Sequence, residues 1–175
     1  MKNRQLIFTV IKRGLFAVMI IAAYLVQLVI IPRAVQSFSI FLLPGLLCAI
    51  SMCEKELPAA FFGLAAGALW DLASPVTDGA FALIFTVFCC TASLLTRYLI
   101  RNTLLTAVIF TAILSVAVFF TVQLFYISHI TAELFTRSIN TELVPTLISA
   151  VIFAIPFYIF ISRISTRLTA DKGIY

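Results

Sequence analysis

Hydrophobic positions in this chain run in blocks; they do not alternate. Residues Gly14 to Pro32, Ala34 to Cys53, Gly79 to Thr96, Asn102 to Ala132 and Leu143 to Ser162 contain no Asp, Glu, Lys or Arg, and Leu57 to Ser74 contains only Asp71. Each block approaches or exceeds the roughly 20 residues with which a helix crosses the hydrocarbon core. The pattern predicts six transmembrane helices, over residues 14–32, 36–53, 57–74, 79–96, 102–127 and 143–162. Pro44-Gly45 predicts a kink or loosened turn inside the second. The connections are short: Arg33, Glu54-Lys55-Glu56, a Ser74-Pro75 to Asp78-Gly79 turn, and the stretch between Arg97 and Arg101. His129 to Glu142 reads as a polar surface segment with an interfacial turn through Ile130, Leu134 and Ile139.

The third block carries a second pattern. Ala59, Gly63, Gly67 and Asp71 recur every four residues and share one face of a helix, with Phe61, Phe62, Leu64 and Leu69 covering much of the rest. Lipid is as apolar as leucine, so no hydrophobic force holds helices together there, and small residues at this spacing let two backbones approach and gain dispersion contacts. Ala82, Thr86, Cys90 and Ser93 form a small-residue stripe on the fourth block, which predicts a close hairpin. Gln123, Pro145 and Pro156 mark polar groups or freed carbonyls that need partners inside the bundle.

Composition fixes the solvent. The chain is 63% hydrophobic and 11% charged, with 17 Phe, and its mean hydropathy is +1.16; soluble domains are about 25% charged. This is the composition of an all-α integral membrane protein, and 175 residues leave no room for a separate soluble catalytic domain beside six spans. The net charge of +5 is a topology signal, with no call for nucleic acid. With a cytoplasmic N-terminus, Lys2, Arg4, Lys12, Arg13, Lys55, Arg97, Arg101, Arg163, Arg167 and Lys172 are cytoplasmic, and only Arg33 and Arg137 are not. That asymmetry obeys the positive-inside rule, so both termini are expected in the cytoplasm. The basic N-terminus lacks a small-x-small cleavage site, which makes the first block an uncleaved helix.

Candidate chemistry is sparse. Cys48, Cys53, Cys89 and Cys90 match no zinc, haem or disulfide spacing and read as small polarizable core residues. His129 has no ligand cluster near it in sequence, and no nucleophile–base pair, phosphate loop or carboxylate dyad is visible. The expectation is therefore no catalytic, cofactor or metal site. Asp71 is the informative ionisable group, about 14 residues and roughly 21 Å from the cytoplasmic start of its helix. A charged Asp at a helix centre costs about 2.5 to 3.5 kcal/mol, less near the interface, so it needs a partner. The favoured partners are the Ser74–Thr77 turn, Arg33 or Arg137; the alternative is a partner protein or a ligand.

The pattern Gly63-x-x-x-Gly67-x-x-x-Asp71-x-x-Ser74-x-x-x-x-Gly79 resembles the rod shape-determining protein MreD family. The helix containing Pro44, the small-residue span ending in Arg97, and Leu143-Val144-Pro145-Thr146 leading to Arg163 are similar too, so the resemblance covers nearly the whole chain. Near Ser149 and Ala150 it departs from the many members that carry Asn, and the sixth helix is expected to be satisfied differently. The resemblance implies a non-enzymatic scaffold of the bacterial cytoplasmic membrane. Such a scaffold works with MreC, MreB, RodA and a class B penicillin-binding transpeptidase in lateral peptidoglycan synthesis. It also implies an architecture similar to the S components of energy-coupling-factor transporters. Ala59, Gly63, Gly67, Asp71, Ser74 and Gly79 are then candidates for helix packing and a partner interface. The alternative function is that of a vitamin-binding S component. Against it, no two alanines between Gly14 and Pro32 stand four apart, and few polar or aromatic groups beyond Asp71, Gln123 and Tyr126 converge in the outer half.

Overall fold

Long apolar runs with few breakers fold as helices because lipid offers the backbone no hydrogen-bond partner. The computed structural model describes residues 2–30, 42–73, 79–100, 102–126 and 143–170. Among them are six α-helices: α1 (Lys2–Leu25), α2 (Leu43–Cys53), α3 (Glu56–Ala73), α4 (Ala80–Tyr98), α5 (Leu104–Tyr126) and α6 (Val144–Ala170). Helix α1 loosens at its end into a π segment, Val26–Ile30. Within the described residues, four stretches are long and apolar enough to cross a membrane: Thr9–Leu28, Ala80–Tyr98, Leu104–Leu124 and Val144–Ser165. Helix α3 carries two acidic residues in its 18, and α2 has only 11 residues. Arg33, Arg137, His129, the Ser74–Thr77 turn and residues 36–41 lie outside the described residues.

The centre of the molecule is α2. Residues Leu43 to Met52 are all buried, and α2 packs against each of the other five helices. Pro44-Gly45 is therefore no mid-helix kink. Pro44 occupies the first turn of α2, where its missing N–H leaves nothing unpaired. Gly45 lets α2 approach α6 closely: a Cβ there would stand 3.1 Å from the Ala154 Cα. The small Ala150 and Ala154 are fully buried on the facing helix. Around this rod α5 contributes Phe110, Leu114 and Val118, and α1 contributes Phe16, Ile20 and Ala23.

A helix of about 16 Å is too short to put both ends in water, so its terminal polar groups must be satisfied inside the bundle. At the N-terminus, the Gln27 side-chain oxygen, carried on the π segment, accepts from the amides of Leu42 and Leu43, each at 3.2 Å. At the C-terminus, Asn102 Nδ2 donates to the Met52 carbonyl at 3.2 Å. Lys12 Nζ donates to that of Cys53 at 3.2 Å. Ser93 Oγ donates to that of Glu54 at 2.8 Å. Tyr158 of α6 steadies Asn102 through a hydrogen bond of 3.0 Å to its Oδ1.

Candidate functional site

The α3–α4 hairpin brings the candidate residues together. Ala59, Gly63 and Gly67 are buried along one face of α3, and this face lies against the backbone of α4. A Cβ on Gly67 would stand 2.5 Å from the Phe81 carbonyl oxygen and 2.7 Å from the Ala82 nitrogen. One on Gly63 would meet the Phe85 carbonyl oxygen and stand 2.8 Å from its carbon. Two backbones therefore touch where only glycine fits.

The partner stripe coincides with the expected one at Ser93, which is buried, and at Ala82, whose backbone meets Gly67, and is displaced by one residue between them. Phe81, Phe85, Cys89, Ala92 and Ser93 are the buried positions of α4, whereas Ala82, Thr86 and Cys90 are half-buried. Bulky phenylalanines occupy the seam because their rings turn aside and leave their carbonyls facing the glycines. The Trp70 ring takes them up, with centroids 5.7 Å from Phe81 and 6.1 Å from Phe85.

Asp71 closes the seam. Its Oδ2 accepts from the Ala82 amide at 2.8 Å and its Oδ1 from the Phe81 amide at 3.2 Å. These are orphan donors of the first turn of α4, which an N-cap side chain ordinarily satisfies. The residue at the N-cap is Gly79, which has no side chain to offer and whose φ of 86° lies in the left-handed region. The preceding helix thus supplies the cap that the turn lacks. The carboxylate also sits at the positive end of the α4 dipole. Ser74 lies outside the described residues.

The opposite end of the hairpin is tied by charge. Arg97 Nη1 donates to both Glu56 oxygens, at 2.9 and 3.2 Å. The Glu56 carboxyl is held below its ordinary range, first by its own backbone amide and then by Arg97. Beside it lies a more enclosed knot. Lys12 Nζ is 2.7 Å from Glu54 Oε1, with side chains 12% and 7% exposed, and Arg13 Nε stands 3.7 Å from Glu54 Oε2.

Gln27, Glu54, Ser93, Asn102 and Tyr158 were not singled out by the sequence for these roles. A signal existed for Gln27, an isolated polar residue in an apolar run like Gln123. Glu54 is hidden inside a charged triplet that reads as a solvated connection.

Among the described residues no group of three or more His, Cys, Asp or Glu could hold a metal. The four cysteines are free, Cys48 and Cys89 fully buried. No protein-family model matches the chain, and searches of curated proteins and of solved structures likewise return no match.

Proposed function

We propose that this chain is a non-enzymatic scaffold of the bacterial cell-elongation machinery, MreD-like in role. In this reading six helices cross the cytoplasmic membrane with both termini inside, and the architecture is similar to that of energy-coupling-factor S components. The observation that carries it is the joint built by Gly63, Gly67, Asp71 and Gly79: four residues of the MreD-like pattern serve one purpose, a rigid backbone-to-backbone hairpin. A rigid hairpin presents fixed outward faces. Leu64 on α3 and Leu83 and Val87 on α4 are exposed, and they form apolar surfaces against which helices of MreC, RodA or the class B transpeptidase pack. Packing of this kind uses shape and dispersion, which is what holds helices together in lipid. MreB is reached through these partners.

The test is affinity purification of the tagged chain in mild detergent with mass spectrometry of what accompanies it. Recovery of MreC, RodA or the transpeptidase is expected, reduced by Gly67→Leu and by Asp71→Ala at unchanged protein level. Recovery of an ATPase-bearing transport module or a vitamin-sized ligand in their place replaces the scaffold with a transporter subunit.

A further inference from the structure

A cleft of about 620 Å³ opens between the middle of α1 and the start of α3, with Arg13, Lys55 and Glu56 at its mouth and Leu57, Phe61 and Phe62 as its apolar lining. Phe62 also lines a second, almost wholly apolar groove of about 280 Å³ that continues between the two helices to Leu72. The groove exists because its floor is small: Ala17 on α1 and Ala65 and Ala68 on α3 leave space between Ile20, Ile21 and Leu69. Phe62, which lines both, packs edge to face on the buried Phe16 with centroids 6.2 Å apart.

Charge at the mouth is unbalanced. Glu54 is taken by Lys12, and Glu56 is taken by Arg97. Arg13 retains only the longer 3.7 Å contact to Glu54, with its side chain 45% exposed, and no described carboxylate pairs with Lys55, which is exposed. Two cations therefore stand above an apolar slot, at the end of the helices where a span begins. From Leu57 to Leu72 the slot follows about 22 Å of helix, more than the roughly 15 Å depth of one leaflet.

We propose that this slot is a binding site for an anionic phospholipid, with the phosphate held between Arg13 and Lys55 and one acyl chain laid along Phe62, Ala65 and Ala68 to Leu72. A single cation near an anionic headgroup contributes about fivefold in affinity. Losing both is expected to cost about twenty-five-fold. The proposal rests on the membrane location alone and stands whether or not the chain is an elongation scaffold.

The experiment is native mass spectrometry of the full chain in detergent with equal amounts of palmitoyl-oleoyl phosphatidylglycerol and phosphatidylethanolamine. Wild type is expected to retain the glycerol lipid preferentially. The preference should disappear in Arg13→Gln/Lys55→Gln and weaken in Lys55→Gln alone, which breaks no ion pair with a described carboxylate. In Ala65→Leu/Ala68→Leu, where exposed alanines are enlarged without touching the core, retention of both lipids at this site should fall, with the melting temperature unchanged. Equal retention of the two lipids by wild type overturns the proposal, as does a preference that survives loss of both cations. Displacement of the bound lipid by millimolar inorganic phosphate overturns the acyl-chain part. A dimer that Ala65→Leu abolishes assigns the groove to a second copy and overturns it as a lipid site.

Discussion

Replacing Gly67 with alanine probes the α3–α4 seam at its tightest point. The added Cβ would stand 2.5 Å from the Phe81 oxygen and 2.7 Å from the Ala82 nitrogen, where ordinary contact is 3.4–4 Å. Both obstacles are backbone, so no side chain can swing away and the helices must part by about 1 Å, which forfeits a quarter to a half of each local dispersion contact. Overpacking of this kind costs about 1–3 kcal/mol. Separation also lengthens the 2.8 Å bond from Ala82 to Asp71, while the better helix propensity of alanine returns up to about 1 kcal/mol. A net loss of about 1–3 kcal/mol is expected, lowering the melting temperature by roughly 2–12 °C. Gly14 is the internal control: nothing lies within 4 Å of its Cβ position, so Gly14→Ala should be neutral or stabilising by up to about 1 kcal/mol. The assay is thermal unfolding in detergent followed by the fluorescence of Trp70. It is the only tryptophan in the chain, and its ring packs in the seam itself. If Gly67→Ala melts at or above wild type, as Gly14→Ala should, the two backbones do not touch and the hairpin argument fails.

Other outcomes follow from the same contacts. Asp71→Ala removes the cap of α4 and should destabilise by about 1–2 kcal/mol, read as faster amide exchange at the start of α4; unchanged exchange would show that another group caps it. Glu54→Gln leaves Lys12 enclosed without its carboxylate and should cost about 3–5 kcal/mol, whereas Lys12→Met/Glu54→Leu recovers most of that loss in the same melt. Ser115 Oγ is buried without a hydrogen-bond partner among the described residues; Ser115→Ala should raise stability by about 1 kcal/mol, and a clear loss would reveal a partner. Glu56 has a lowered folded-state pKa. Its contribution is therefore present above the unfolded value and lost as pH falls through the lowered folded one. A Glu56→Gln protein should show a flatter acid limb of melting temperature against pH, and identical limbs would contradict the pairing.

The boundaries of α3 to α5 could be read closely from charge placement, because lipid makes every charged residue a punctuation mark. The small-residue face of α3 could also be read, since spacing of four on one helix is local information. What could not be read was which face of α4 meets it. Composition favoured Ala82, Thr86, Cys90 and Ser93; Ser93 and the Ala82 backbone do meet α3, but Thr86 and Cys90 give way to Phe85 and Cys89, and the Phe81 and Phe85 carbonyls face the glycines while their rings pack on Trp70. The centrality of α2 was equally invisible. Its 11 residues are only slightly more apolar than α3 and less so than α5, and what sets them apart is being surrounded. Gln27, Asn102 and Lys12 acquire their roles from carbonyls and amides that are 15 to 50 residues distant, and no local pattern encodes such pairs.

The short central rod bears on how the molecule is made. Helix α2 leaves the ribosome after α1 and before α3 to α6, yet its C-terminal carbonyls are answered by Ser93, by Asn102 and, through Asn102, by Tyr158. During synthesis these partners do not yet exist. Only Lys12 on α1 and Gln27 on the π segment that follows it are already in place. Until the later helices arrive, the carbonyls of Met52 and Glu54 lack Asn102 and Ser93. The C-terminal end of α2 is therefore expected to settle only once α4, Asn102 and α6 have been made.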